Sequence, residues 1–382
     1  MHHKRGYRHA KKDKVVYFLS GRCYRMLNFA VGPVMMEEEI LNIGSKQIPY
    51  FRTEEFSELM LENEKLLIKS VKADTESRVI FLTGSGTAAM EASIINLFTT
   101  KDKLLVVNGG SFGNRFYQIC NIHELFVEEI KLDYFESLTE EHLKPFEGKG
   151  FTGLLINVHE TSTGVLYDMN LVGEFCKRNN IFLVVDAISS FLADPYDMMK
   201  FGANVTILSS QKALALPPGM SYIIVDREAQ ERIKKNKVRC LYFNFKDYLK
   251  DGERGQTPYT PAVGNLIQLN RRLKKIEEQG VDHIVKRVSA IAKDFREKIT
   301  GLPFDIASNN PSNALTPLKV YGKMNAKEIF RYLKEYKGIF ICPNGGELGE
   351  ILFRVGHIGA ITEQDNDRLV NAFKEMSDGG LL

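Results

Sequence analysis

From residue 79 to 225 the chain alternates short apolar runs with stretches of helical period. The runs are VIFL (79–82), KLLVVN (103–108), GLLINV (153–158), IFLVVD (181–186), NVTIL (204–208) and MSYIIV (220–225). They are rich in Val, Ile and Leu and mostly continuous rather than alternating, the pattern of strands buried on both faces. Between them, GTAAMEASIINLF (86–98) and MNLVGEFCKRNN (169–180) place apolar residues at helical spacing. Strand, helix, strand in repetition predicts an α/β body with a largely parallel sheet covered by helices. After about residue 261 the texture changes. Two amphipathic stretches, 262–279 and 282–300, lead to short strand-like pieces (TPLKVY, IFICP, ILFRVG) and a last helix near 363–377. The pattern predicts a large domain at 27–261 and a smaller C-terminal α+β domain at 262–382.

Length agrees, since 382 residues exceed what one ordinary core serves. At 44% hydrophobic and 26% charged residues the composition is that of a soluble globular protein. The net charge of +3 hides an asymmetry, because residues 1–25 hold eight Lys/Arg against Asp13 alone. The remaining chain is slightly acidic and offers no case for a nucleic-acid partner. Residues 1–26 read as a basic, disordered extension; a start site at Met26 or an added leader is the accompanying expectation. Its apolar run VVYFL is too short to span a membrane. Five cysteines without a C-x-x-C pair argue against a disulfide framework or a zinc site, so no metal and a reducing, cytoplasmic setting are expected.

Three features carry candidate chemistry. FLTGSGTAAMEA (81–92) sets Gly84, Ser85, Gly86 and Thr87 between a strand and a helix, where free amides suit a phosphate; such glycines also serve merely to turn a chain. Asp186 ends a buried strand at the edge where open α/β sheets bind ligands, or else caps the next helix. Lys212, in TILSSQKALALPPG (206–219), stands just past a strand-like run and before a constrained loop, either as a stem-packed surface lysine or as a nucleophilic amine. Asp186 and Lys212 follow neighbouring runs and so reach one crevice. An anion cradle, a carboxylate and an amine at one sheet edge are together what pyridoxal phosphate needs: amides for its phosphate, an anion for its ring nitrogen, an amine for its aldehyde.

With these motifs the sequence resembles the class V aminotransferases among the fold-type I pyridoxal-phosphate enzymes. The resemblance runs from about residue 27 to the end through VGP (31–33), TGSGTAAMEA, VVNGGSFGNR, HETSTG, VVDAISS, SSQKAL, YTPAV and FRVGHIG in the family's order. It implies a mostly parallel seven-stranded sheet between helices, and a homodimer whose active site is shared between subunits. Residue by residue, Lys212 matches the Schiff-base lysine and Asp186 the partner of the ring nitrogen. Ser85, Gly86 and Thr87 match the phosphate turn, Gln211 a phosphate contact, and Thr260 a residue reaching the phosphate from the other subunit. Phe112 matches the ring stacked on the pyridine, Thr161 a hydroxyl on its phenolic oxygen, and Arg354 the arginine for the substrate carboxylate.

The resemblance is nearest to the transaminases that pair alanine with glyoxylate, serine with pyruvate and 2-aminoethylphosphonate with pyruvate. A small amino acid or aminophosphonate donor and a small 2-oxo acid acceptor, in a ping-pong reaction, are the implied substrates. The chain departs from the family in placing His159 directly before Glu160; a packed histidine and a hydrogen-bonded structural carboxylate are the plain readings of the two. The rival is a cysteine desulfurase or related lyase on the same fold, with Cys342 in FICPNGG as its thiol. Gln211, where that family usually has histidine, speaks against it.

Overall fold

The computed structural model describes residues 16–19 and 22–382. Of the basic extension expected at 1–26, residues 1–15, 20 and 21 lie outside the described residues; Val16–Leu19 and Arg22–Arg25 pair as antiparallel strands.

The main sheet has seven strands: β1 (Arg78–Thr83), β2 (Lys103–Asn108), β3 (Phe126–Lys131), β4 (Gly153–Asn157), β5 (Phe182–Asp186), β6 (Val205–Ser209) and β7 (Met220–Val225). Their order is β1-β7-β6-β5-β4-β2-β3. Neighbours run parallel except at β7, which is antiparallel to both β6 and β1. The continuous apolar runs have a physical cause: alternate side chains serve two cores, one on each face. Val79 and Phe81 of β1, Leu105 and Val107 of β2, and Leu183 and Val185 of β5 enter one core. Ile80, Leu82, Leu104, Val106, Phe182 and Val184 enter the other. The seventh strand, β3, is an edge strand of sequence FVEEIK in which only Ile130 is buried, so it carries no such run.

Helices α1 (Glu54–Ser70), α2 (Gly86–Leu97), α3 (Ser111–Ile122) and α4 (Met169–Asn179) cover the sheet. Their starts follow from local chemistry: the side chains of Thr53, Ser85 and Asp168 accept amide hydrogens at the N-termini of α1, α2 and α4. Helix α5 (Val263–Gln279) lies on α1, where buried Asn63 donates to the Leu266 carbonyl at 3.1 Å. Its Leu266, Leu269, Leu273 and Ile276 belong to the larger core, although the expected division falls just ahead of it.

A second sheet, β8 (Phe304–Ile306), β9 (Leu315–Val320), β10 (Cys342–Pro343) and β11 (Leu352–Gly356), is antiparallel in the order β8-β9-β11-β10. Helices α6 (Val281–Lys298) and α7 (Glu363–Asp378) pack on it through a third core that includes Ile291, Phe295, Phe353 and Phe373. IFICP does not form one strand. Ile339–Phe340 pairs in parallel with Leu27–Asn28, whereas Cys342–Pro343 joins β11. Among the described residues no helix is long and apolar enough to cross a membrane.

Candidate active site

The carboxyl ends of β4, β5 and β6 form one edge, and the candidate residues converge there. Lys212 sits in the loop between β6 and β7, which is tied at several points. Ser210 Oγ donates to the Pro217 carbonyl at 2.7 Å, the Leu216 amide to Ser210 O at 3.0 Å, and the Ala215 amide to Lys212 O at 2.8 Å. From α5, Arg272 Nε donates to Leu214 O at 3.1 Å. These bonds tie the loop down, and Lys212 is 9% exposed. Gly32 lies against it. A Cβ at Gly32, whose φ is +149°, would stand 2.8 Å from Lys212 Cδ and 3.1 Å from Nζ, so a side chain there would displace the lysine.

Burial pushes the Lys212 amine down to about 8; the Arg354 charge acts in the same direction, while Cys342 and Asp186 oppose it. Asp186 is the last residue of β5 and its Oδ1 accepts the Ile188 amide at 2.8 Å. Burial raises its carboxyl to about 6, against the pull of that amide and of Lys212. Asp186 therefore binds the turn that follows β5, where no helix begins, and lies within the field of Lys212.

Ser85 ends the β1–α2 turn and its Oγ accepts the Ala88 amide at 3.4 Å. Among the described residues the amides of Gly86 and Thr87 have no protein acceptor. Thr87 Oγ1 accepts from Arg115 Nη1 at 3.1 Å. Gln211 Oε1 accepts from Ser209 Oγ at 2.6 Å. Phe112 opens α3 with the Arg115 guanidinium over its ring, Cζ at 4.8 Å from the centroid.

Glu160 resolves to the structural reading. It is fully buried and accepts from the amides of Phe112 (3.2 Å) and Gly113 (3.0 Å), from Ser162 Oγ (2.5 Å) and from Asn157 Nδ2 (3.2 Å). A carboxylate thus caps α3 and fixes the start of the helix that carries Phe112. Gly113 is dictated by the same packing, because a Cβ would stand 2.4 Å from the Val107 carbonyl oxygen. Thr161, the next residue, donates to Ser189 Oγ at 2.7 Å.

Arg354 reaches in from β11. Its Nη1 donates to Thr161 O at 3.0 Å, and its Nη2 to Pro343 O and Cys342 Sγ, both at 3.2 Å. Among the described residues Nε is buried without a partner. Cys342 stands directly across the strand pair from Arg354. His159 is buried with neither ring nitrogen bonded among the described residues, and burial, aided by Lys212, holds it down at about 3 and therefore neutral. Thr260 lies two residues before Ala262, whose amide donates to Thr83 Oγ1 at 3.3 Å at the end of β1. It is exposed, beside Tyr259, whose ring stacks on Tyr242 at 5.2 Å.

Two residues escaped the sequence reading. Gly32 was visible in VGP but not its place against Lys212. Arg115 follows Phe112 by three on α3, the spacing that pairs side chains on a helix face. Among the described residues no group of His, Cys, Asp and Glu is placed to hold a metal.

A buried amine and a buried carboxylate at one sheet edge, with two unclaimed amides at a helix start, suit an aldehyde cofactor that carries both a ring nitrogen and a phosphate. The comparisons agree. The family described as Aminotransferase class-V matches residues 45–357. An uncharacterized aminotransferase of Methanocaldococcus jannaschii is 30% identical over 342 residues, covering 87% of this chain and 88% of that one. The alanine–glyoxylate aminotransferase of Felis catus is 27% identical, over 90% and 86% of the two chains. The crystal structure of a subgroup IV aspartate aminotransferase from Thermus thermophilus superposes with a TM-score of 0.86 at 25% identity, over 93% of this chain and 99% of that one. Fold and relatives together define a pyridoxal-phosphate-dependent transaminase. The chain belongs to the class V aminotransferases, which act on amino acids and 2-oxo acids.

Proposed function

We propose that this enzyme moves an amino group from alanine, serine or 2-aminoethylphosphonate to pyruvate or glyoxylate in a ping-pong reaction. The observation that carries the reading is Lys212: a buried amine pushed down to about 8, at one sheet edge with Asp186 and within the field of Arg354. Bound pyridoxal phosphate supplies an aldehyde that links covalently to amines and a protonated ring that draws electrons from the substrate's α-carbon. Lys212 would hold the cofactor through its amine and, when free, would serve as the base that moves the substrate's α-proton, a role that its lowered value favours. Asp186, ionised above about pH 6, keeps the ring nitrogen protonated. The amides at Gly86 and Thr87, the Ser85 and Thr87 hydroxyls and the Gln211 amide take the phosphate. Phe112 would supply the face for the ring, and Thr161 a hydroxyl for its phenolic oxygen.

Arg354 takes the substrate carboxylate through its planar fork, and its unpartnered buried Nε is a donor in reserve. Thr260 is read as reaching the phosphate of a second subunit in a homodimer, which accounts for its exposure. The proposed division is a cofactor-binding domain at 27–261 and a smaller domain at 262–382 whose first helix, α5, packs into the larger core, and the setting is cytoplasmic. The relative named for alanine and glyoxylate supports a small donor and acceptor. Cys342 is fixed on β10 beside Arg354, a poor position for the mobile thiol that sulfur transfer requires.

Half-reactions test the assignment. Alanine, serine, 2-aminoethylphosphonate and cysteine are added singly to the holoenzyme, and cofactor absorbance and product are followed. One of the first three should convert the cofactor to its amino form and release the matching oxo compound. Sulfide from cysteine without conversion would instead establish the lyase reading.

A further inference from the structure

Arg115 stands three residues beyond Phe112 in α3, so the two side chains share a face of the helix. The guanidinium lies over one face of the Phe112 ring, with Cζ 4.8 Å from the centroid. The same group crosses to another helix, where Nη1 donates to Thr87 Oγ1 at 3.1 Å in the first turn of α2. One side chain therefore grips both the ring read as stacking on the cofactor and a hydroxyl read as binding its phosphate.

A threonine hydroxyl has one hydrogen to give and two lone pairs to receive with. Beside a helix start it is free to point its hydrogen at any nearby oxygen, including backbone carbonyls. Arginine can only donate, so its N–H takes a lone pair of Thr87 Oγ1 and excludes the hydroxyl hydrogen from that direction. A charged donor also polarises the O–H bond and makes it a better donor. The stacking contact works on the same logic of occupancy. With the guanidinium on one face of Phe112, a single face remains for a second ring, and the plane of that face is held.

We infer that Arg115 is a positioning residue for the cofactor: it fixes the plane of Phe112 and sets the polarity of the Thr87 hydroxyl so that its hydrogen is offered to the phosphate. The inference rests on the reading of Thr87 and Phe112 as cofactor contacts. Arginine alone among cations suits the task, since a planar fork can lie on a ring and donate in its own plane at once, whereas a lysine ammonium does one or the other. The charge reaches further into the site. Burial raises Asp186 and Arg115 works against that rise, whereas on Lys212 Arg115 adds a smaller push in the same downward direction as burial.

The test compares wild type with Arg115→Met, Arg115→Lys, Thr87→Val and the Arg115→Met/Thr87→Val pair. Each is stripped of cofactor and titrated with pyridoxal phosphate and with pyridoxal, which lacks the phosphate. Arg115→Met and Thr87→Val should each weaken pyridoxal phosphate binding about tenfold, the worth of a charge-assisted hydrogen bond. The pair should lose little more than either alone, since both cut one path. Pyridoxal should lose less than about threefold, a stacking contact being the smaller contribution. Arg115→Lys should remain as weak as Arg115→Met, and it carries the comparison if the methionine variant does not fold.

Additive losses in the pair, equal losses for the two ligands, or wild-type affinity in Arg115→Lys would overturn the inference. If Thr87→Val binds as wild type does, the underlying reading of the phosphate turn fails. If Thr87→Val is weak and Arg115→Met is not, only the inference about Arg115 fails.

Discussion

Inside the crevice Lys212 is pushed down to about 8 and Asp186 up to about 6, so each is held nearer its neutral form than water would allow. Both shifts stem first from burial, and both cost stability where the group is charged. For Asp186 the unfolded carboxyl titrates at 3.8, and the folded one at about 6. Between those values the folded state binds the extra proton, so stability falls as pH rises through the window and the whole cost is present above it. At 1.36 kcal/mol per unit this is about 3 kcal/mol at pH 7. Lys212 runs the other way: the unfolded chain keeps its proton up to 10.5, so stability rises with pH between about 8 and that value. A neutral isostere should therefore stabilise the cofactor-free protein while harming the reaction. Cofactor-free Asp186→Asn should melt above wild type at pH 7, with the gap closing below about pH 4, where both side chains are uncharged. Its holoenzyme should lose at least about a hundredfold in turnover, the scale of a lost electrostatic contribution. Equal melting at pH 7 would show that the carboxylate is not held at a cost.

At the scale of elements, the start of α3 depends on one side chain. Glu160 collects donors from Phe112, Gly113, Ser162 and Asn157, and thereby joins α3 to the segment after β4. Glu160→Gln removes the charge and turns an NH2 toward groups that themselves donate. It should cost about 2–3 kcal/mol in urea unfolding, against less than about 0.5 for Glu174→Gln on the exposed face of α4. A loss no larger than that of the control would contradict the cap. This anchor was only half legible in the sequence. HETSTG flags a glutamate, but the acceptor role depends on amides from a helix that begins near Ser111. The strands divide in the same way. Six of the seven are legible because both faces are buried, and β3 is not because FVEEIK lies at an open edge. IFICP reads as one strand and divides because Leu27–Asn28 claims half of it from the far end of the chain. At the site, Lys212, Asp186 and the Ser85–Thr87 turn are legible from their places at strand ends. Gly32 against Lys212 and Arg115 on Thr87 are not, since each contact joins segments whose approach only the fold determines.

The whole molecule poses the question of Thr260. Thr260 is exposed, and large apolar side chains near it are exposed as well. Tyr259 donates to the carbonyl of Leu241, which is 77% exposed, and stacks on Tyr242. Ile48, 56% exposed, lies against the following segment at Gly264. Such a rim fits the proposed two-fold dimer, in which each Thr260 is lent to the site of the other subunit. Shared sites make a prediction that independent ones do not. Lys212→Ala removes the amine of its own site but still lends an intact Thr260. Thr260→Glu keeps its own amine and lends a carboxylate that repels phosphate. Each pure variant should be nearly inactive. When the two are unfolded together and refolded at equal amounts, about half of the dimers are mixed, and each mixed dimer has one site with both residues intact. Activity should then recover to about a quarter of the wild-type level, and cofactor binding should recover in parallel. A mixture no more active than the sum of its parts would place Thr260 outside any shared site.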